Sequence, residues 1–125
     1  MNFFVLYLFL ILIPFSSLKS LKKISCQNSG ITSGNLSKSF KNTNDIFETG
    51  KGYREHNYFI SFPFSFCNVP IVQISLNGFE LKENTPHILS VYSTFIYNFG
   101  FWLKIETNGD AKVDMIRINW TAIKI

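Results

Sequence analysis

The chain has 125 residues, 46% hydrophobic and 17% aromatic, with 12 Lys plus Arg against 8 Asp plus Glu for a net charge of +4. That length suits one domain once a processed segment is set aside. The basic residues are scattered, which excludes the charged stripe that nucleic acid requires, so no nucleic-acid partner is expected.

Phe3 to Ile13, "FFVLYLFLILI", is an uninterrupted apolar run followed by Pro14, Ser16 and Ser17. A spanning helix needs roughly 20 apolar residues, and Lys19, Lys22 and Lys23 end this run well short of that. The segment reads as a signal peptide over residues 1–20, cut between Ser17 and Ser20, and so predicts a secreted, extracellular protein with no stable membrane span. The remainder, about 105 residues, suffices for one hydrophobic core.

Export would place Cys26 and Cys67 in an oxidising compartment. One intrachain bridge is the simplest outcome; on the chain-entropy model, closing a loop of about forty residues stabilises a fold by roughly 4 kcal/mol. The alternative is that Cys67 pairs with its copy in a neighbouring protomer. Export also makes sequons relevant: Asn35-Leu36-Ser37 lies in a polar segment and is the expected glycan acceptor, whereas Asn119-Trp120-Thr121 sits in a strand-like run and reads as less accessible.

Residues 27–57 are rich in Ser, Asn, Gly and Lys and predict loops with one short strand near Gly30 to Ser33, so residues 21–52 form a polar segment joining a domain at 53–125. From Tyr58 the texture changes. Tyr58, Ile60, Phe62, Phe64 and Phe66 alternate with Phe59, Ser61, Pro63 and Ser65, a period of two that predicts a strand with an edge or bend at Pro63. Cys67-Asn68-Val69-Pro70 is the break before the next strand, in which Val72, Ile74 and Leu76 share one face and Asn77-Gly78 marks a bulge or turn.

Three more runs alternate. Leu89, Val91 and Phe95 oppose Ser90, Tyr92 and Thr94; Phe101, Leu103 and Ile105 oppose Trp102, Lys104 and Glu106; and Ile116, Ile118, Trp120 and Ala122 oppose Arg117, Asn119 and Thr121. Turn signals separate them at Asn84-Thr85-Pro86, Tyr97 to Gly100 and Asn108-Gly109-Asp110. Short alternating strands spaced by Gly, Asn and Pro predict an all-β sandwich.

Material for catalysis is thin. His56 and His87 are isolated from other ligand types, and there is no phosphate loop, no G-x-S-x-G and no cysteine pair at zinc spacing. A non-enzymatic protein without cofactor or metal is expected.

Residues 53–123 resemble the H-type lectin domain of the agglutinins and discoidins. The resemblance rests on "YFISFPFSFCNVP", similar to the family's I-x-F-x-x-P/F block ending in proline; "IVQISLNGFEL", similar to its V-x-x-S-I/L strand; "GFWLKIET", similar to its Gly-Phe strand; and "INWTAI", similar to its closing S-W-I/L-A/S run. It implies a six-stranded antiparallel β-sandwich, assembly into homotrimers, and binding of galactose or N-acetylgalactosamine-type glycans at protomer boundaries in cell adhesion or recognition.

Residue by residue, the family's T-W-x-D/N-T loop matches Thr107-Asn108-Gly109-Asp110-Ala111, where the aromatic platform for the sugar's C–H face is replaced by Asn108. The family's site arginine falls on Tyr92. Arg54-Glu55 matches its Arg-Glu, and the acidic residue that a neighbouring protomer supplies falls near Lys51. The resemblance thus implies a carbohydrate site of Lys51, Arg54, Tyr92, Asn108, Gly109 and Asp110. Loss of the aromatic also admits an oligomeric adhesive or coat protein that no longer binds sugar. Cys67 matches a position where some members cross-link protomers. Trp102, outward between polar neighbours, suggests a protomer interface, and Trp120 the core.

Overall fold

The computed structural model describes residues 26–82, 84–86 and 88–125. The expected signal peptide and His87 lie outside the described residues.

Six strands form two antiparallel sheets of three. They are β1 (Gly30–Ser39), β2 (Arg54–Ser61), β3 (Ile71–Leu81), β4 (Leu89–Tyr97), β5 (Gly100–Thr107) and β6 (Val113–Lys124). One sheet has the order β1-β6-β3 and the other β2-β5-β4, so the most buried strand of each set lies in the middle. Phe101, Leu103 and Ile105 of β5 and Ile116, Ile118, Trp120 and Ala122 of β6 are all buried. They fill the space between the sheets in strict alternation with outward residues, as the sequence period requires. Burying each larger side chain contributes about 2 kcal/mol.

The first strand is much longer than composition predicts. In place of four extended residues near Gly30, ten residues pair with β6 from Gly30↔Lys124 to Ser39↔Met115. Its signal is weak because the inward positions include Thr32, Gly34 and Lys38. Gly34 is small for a reason: a Cβ there would lie 2.7 Å from Trp120 Cζ2. The sandwich therefore draws its first strand from the polar 21–52 segment, ahead of the boundary expected at residue 53. That segment also holds a short helix, α1 (Ile46–Thr49), whose N-cap Asp45 accepts a hydrogen bond from the Phe47 N–H at 2.9 Å.

The predicted strand from Tyr58 to Phe66 is instead β2, which starts at Arg54 and ends at Ser61, before Pro63. Beyond it Phe62 and Phe66 remain buried and close one end of the core, Phe62 packing 5.8 Å from Trp120. At the other end Phe40, Phe47 and Tyr58 surround His56, whose Nε2 lies 2.7 Å from Asp45 Oδ1.

Asn77-Gly78 does interrupt the ladder, as a register shift within β3 between Leu76 and Gly78. A second shift, between Ser93 and Ile96 of β4, corrects the expected face of Phe95. The extra residue reverses the alternation, so Ile96 packs on the core while Phe95 is 73% exposed.

Cys26 and Cys67 form an intrachain disulfide, leaving neither thiol for a neighbouring protomer. The Cys-Asn-Val-Pro corner clasps the chain before β1: Gln27 N–H donates to Ser65 O at 2.9 Å and Cys67 N–H to Gln27 O at 2.8 Å.

Candidate carbohydrate-binding site

The alternation of β2, β5 and β4 sorts their residues onto two faces. Pairing Glu55↔Glu106↔Ser90, Asn57↔Lys104↔Tyr92 and Phe59↔Trp102 lays out successive outer rows. The outer face thus grades from carboxylates and hydroxyls at one end to exposed aromatics at the other. Phe59, Phe95, Trp102, Tyr97 and Phe99 are all exposed, with Phe59 in contact with both Trp102 and Phe99.

At the polar end a shallow groove of about 170 Å³ is lined by Tyr53, Ile88, Ser90, Glu106, Thr107 and Asn108. Tyr53 and Ile88, 56% and 47% exposed, supply apolar surface. Asn108 Oδ1 accepts from the Gly109 N–H at 2.8 Å, which leaves its amide N–H groups as donors. Thr107 Oγ1 is committed to Ile88 O at 2.5 Å.

Tyr53 Oη lies 2.6 Å from carboxylate oxygens of both Glu55 and Glu106, and Lys104 Nζ lies 3.3 Å from Glu55. The Tyr53 hydroxyl, then the Asn57 amide and Lys104, hold the Glu55 carboxyl below its ordinary range. The same hydrogen bonds, to Glu106 first, push the Tyr53 phenol up. Desolvation and then Glu106 raise that of Tyr92, and Glu55 raises that of Lys104. The row sets carboxylates against phenol and ammonium donors, with spare lone pairs to accept from a ligand's hydroxyls.

Of the residues named from sequence, Asn108 lines the groove and Tyr92 stands on the same outer face, one row further along. Gly109 and Asp110 are exposed in the adjoining loop, where Gly109 takes a positive φ of 64°. Lys51 is exposed in the loop before β2. The Gly52 N–H donates to Gly109 O at 2.9 Å, so this loop and the 108–110 loop are neighbours.

Arg54 is placed differently. It is 6% exposed on the inward face of β2, opposite in direction to Tyr53 and Glu55. Its Nε donates to Gly52 O at 2.9 Å, Nη2 to Gly109 O at 3.0 Å and Nη1 to Ile46 O at 3.3 Å. Burial lowers its pKa, with Asp110 acting in the opposite sense. Arg54 is a positioning residue that ties both site loops to the sandwich. Lys112 Nζ adds a further tie to Gly50 O.

Tyr53, Ser90 and Glu106 escaped the sequence reading as site residues. The outward phase of Ser90 and Glu106 was legible, but nothing local shows that Tyr53 folds over the β5 carboxylate. Among the described residues there is no cluster of three His, Cys, Asp or Glu able to hold a metal ion, and no helix long and apolar enough to cross a membrane.

Comparison with known proteins agrees with this architecture. The model of the H-type lectin domain matches residues 57–123. A curated relative from Fuscovulum blasticum, described as ATP synthase subunits region ORF 7, is 29% identical over 75 residues, covering 60% of this chain and 65% of its own. Two solved structures of discoidin II from Dictyostelium discoideum are similar. The wild-type protein has a TM-score of 0.68 at 24% identity over 81% of this chain and 38% of its own. The native structure of the recombinant protein has a TM-score of 0.67 at 25% identity over 80% and 38%. The chain thus spans less than two thirds of each of these relatives. With the matched segment running from β2 through β6 and the same fold in discoidin II, the chain belongs to the H-type lectin family.

Proposed function

We propose that this protein is a secreted lectin that holds galactose or N-acetylgalactosamine-type glycans in the groove at the polar end of the β2-β5-β4 sheet, and that it acts in adhesion or recognition. The carrying observation is the groove itself, in which Tyr53 and Ile88 offer apolar walls beside Ser90, Glu106 and Asn108. A pyranose has the matching chemistry, an apolar C–H face and a rim of hydroxyls that both donate and accept. Tyr92 and the loop residues Lys51, Gly109 and Asp110 complete the site, and the Tyr53 ring supplies the apolar surface absent at Asn108.

Family membership supports carbohydrate binding over catalysis, and the apolar leader with the disulfide supports export. The exposed aromatic end of the same face supports self-association, by the family's example into a trimer, which would bring Lys51 of one protomer toward the groove of the next. Several weak sites on one assembly would then act together.

A glycan array followed by calorimetry with galactose and N-acetylgalactosamine tests the reading. Expected is binding that Asn108→Ala abolishes. A folded oligomer silent on every glycan would overturn it in favour of an adhesive or coat sandwich.

A further inference from the structure

The outer face of the β1-β6-β3 sheet is unlike the aromatic one. Its middle rows read Ser33↔Thr121↔Gln73, Asn35↔Asn119↔Ser75 and Ser37↔Arg117↔Gly78, uncharged apart from Arg117, between an isoleucine row at one end, Ile31↔Ile123↔Ile71, and Ser39↔Met115↔Glu80 at the other. Asn35 and Asn119 are the acceptors of the chain's two sequons, Asn35-Leu36-Ser37 and Asn119-Trp120-Thr121. They are direct cross-strand partners, and both are exposed. The low accessibility expected of Asn119 from its strand-like sequence is therefore corrected. The residue after each, Leu36 and Trp120, packs against the core, which turns both acceptor amides to solvent.

We propose that Asn119 is a second N-glycosylation site paired with Asn35, and that the two act as alternatives, so that one glycan covers this face. In the transfer, the Asn Nδ2 bonds to C1 of the first sugar of a lipid pyrophosphate-linked oligosaccharide. The C1–O bond to the carrier breaks, the pyrophosphate keeps the electron pair, and an amide proton leaves to a base of the transferase. Directly opposed residues of an antiparallel pair have Cβ atoms only about 4.5–5.5 Å apart. Two branched glycans rooted at that spacing crowd each other at their first rings, so a chain loaded twice cannot close the β1-β6 ladder without strain. Asn35 is made first and takes the glycan first; a chain that also takes one at Asn119 fails to close the ladder and is not secreted, so folded molecules carry a glycan on Asn119 only where Asn35 is empty. A glycan here also leaves the aromatic face of the other sheet as the free surface for self-association.

The test is peptide mapping by mass spectrometry of the full chain, secreted from a eukaryotic host behind an established leader, so that the result does not depend on the chain's own export signal. Expected for the wild type is a single glycan on Asn35. In Asn35→Gln the glycan moves to Asn119, Asn119→Gln leaves the wild-type pattern, and the double variant carries none while keeping the same thermal unfolding. Absence of any glycan on the secreted wild type, no glycan on Asn119 in Asn35→Gln, or full loading of both sites on one folded molecule would each overturn the proposal.

Discussion

Arg54 reaches the Gly109 carbonyl with its Nη2 at 3.0 Å while its Nε holds Gly52 O at 2.9 Å, so one buried side chain fixes the spacing of the two loops beside the groove. Truncating it removes three part-buried hydrogen bonds, to the Gly52, Ile46 and Gly109 carbonyls. Arg54→Ala should cost about 3 kcal/mol of stability in urea unfolding. It should also weaken glycan binding although it does not touch the groove. Arg54→Lys, a point charge without the fork, should recover less than half of the stability. A stable Arg54→Ala with native affinity would remove the positioning role.

Tyr92 is 40% exposed on the outer face, where truncation leaves no cavity. Tyr92→Ala should therefore change stability by no more than about 0.5 kcal/mol while lowering glycan affinity about tenfold, the equivalent of one stacking or hydrogen-bonding contact of about 1.4 kcal/mol. Calorimetry and thermal unfolding on the same preparation separate the two effects. Equal affinity in the variant would confine the site to the groove itself.

The places where sequence reading succeeded and failed share one physical cause. Phe101, Leu103 and Ile105, like Ile116, Ile118 and Trp120, lie on central strands, where burial on one face imposes a clean period of two. Edge strands carry less. β1 hides because Gly34 must be small under Trp120 and Lys38 lies with its ammonium 4.9 Å from the Tyr58 ring centroid, so polar types occupy inward positions. Phe95 was misplaced because a bulge reverses the phase, and no single residue between Ser93 and Ile96 announces it. Arg54 enters the expected site through the family's Arg-Glu match, while the strand alternation is followed only from Tyr58. Carried back four residues, the same alternation places Arg54 with Tyr58 and Ile60 on the inner face, and Tyr53 and Glu55 on the outer. The groove was legible only through Asn108, since Tyr53, Ser90 and Glu106 come together from the loop before β2, from β4 and from β5.

Self-association should run through the aromatic end of the β2-β5-β4 sheet. Trp102 and Phe95 form a shallow depression with Asn57, Thr94 and Lys104, an apolar centre with a polar rim of the kind protein interfaces use. In sedimentation velocity the wild type should run as an oligomer and Trp102→Ser with Phe95→Ser as a monomer, with the concentration dependence of Tm abolished. Sheet structure by circular dichroism should be retained. An unchanged oligomer would move the interface elsewhere.

The Cys26–Cys67 bridge spans 41 residues and encloses β1, α1 and β2. Cys26→Ser with Cys67→Ser should lose about 4 kcal/mol on the chain-entropy model, read as a lower urea midpoint. Because both cysteines are used within the chain, non-reducing and reducing gels should show the same monomer mass. A dimer band dispersed by reductant would contradict the pairing.

Glu55 gives the pH dependence of the polar row. Its carboxyl is held below the ordinary range chiefly by the Tyr53 hydroxyl. A folded pKa below the unfolded one contributes stability that is complete above the unfolded value and is lost as pH falls through the folded value. A phenol has one O–H and two carboxylates within reach here, so it donates to one at a time. Tyr53→Phe should move the Glu55 midpoint upward toward an unperturbed glutamate, followed by NMR of its side-chain carboxyl. Glu106→Gln should move it further down, because Glu55 then keeps the stronger share of the Tyr53 proton and loses a negative neighbour across the ladder. Movement of the midpoint in the same direction in both variants would show that the Tyr53 bridge does not set the ionisation of this row.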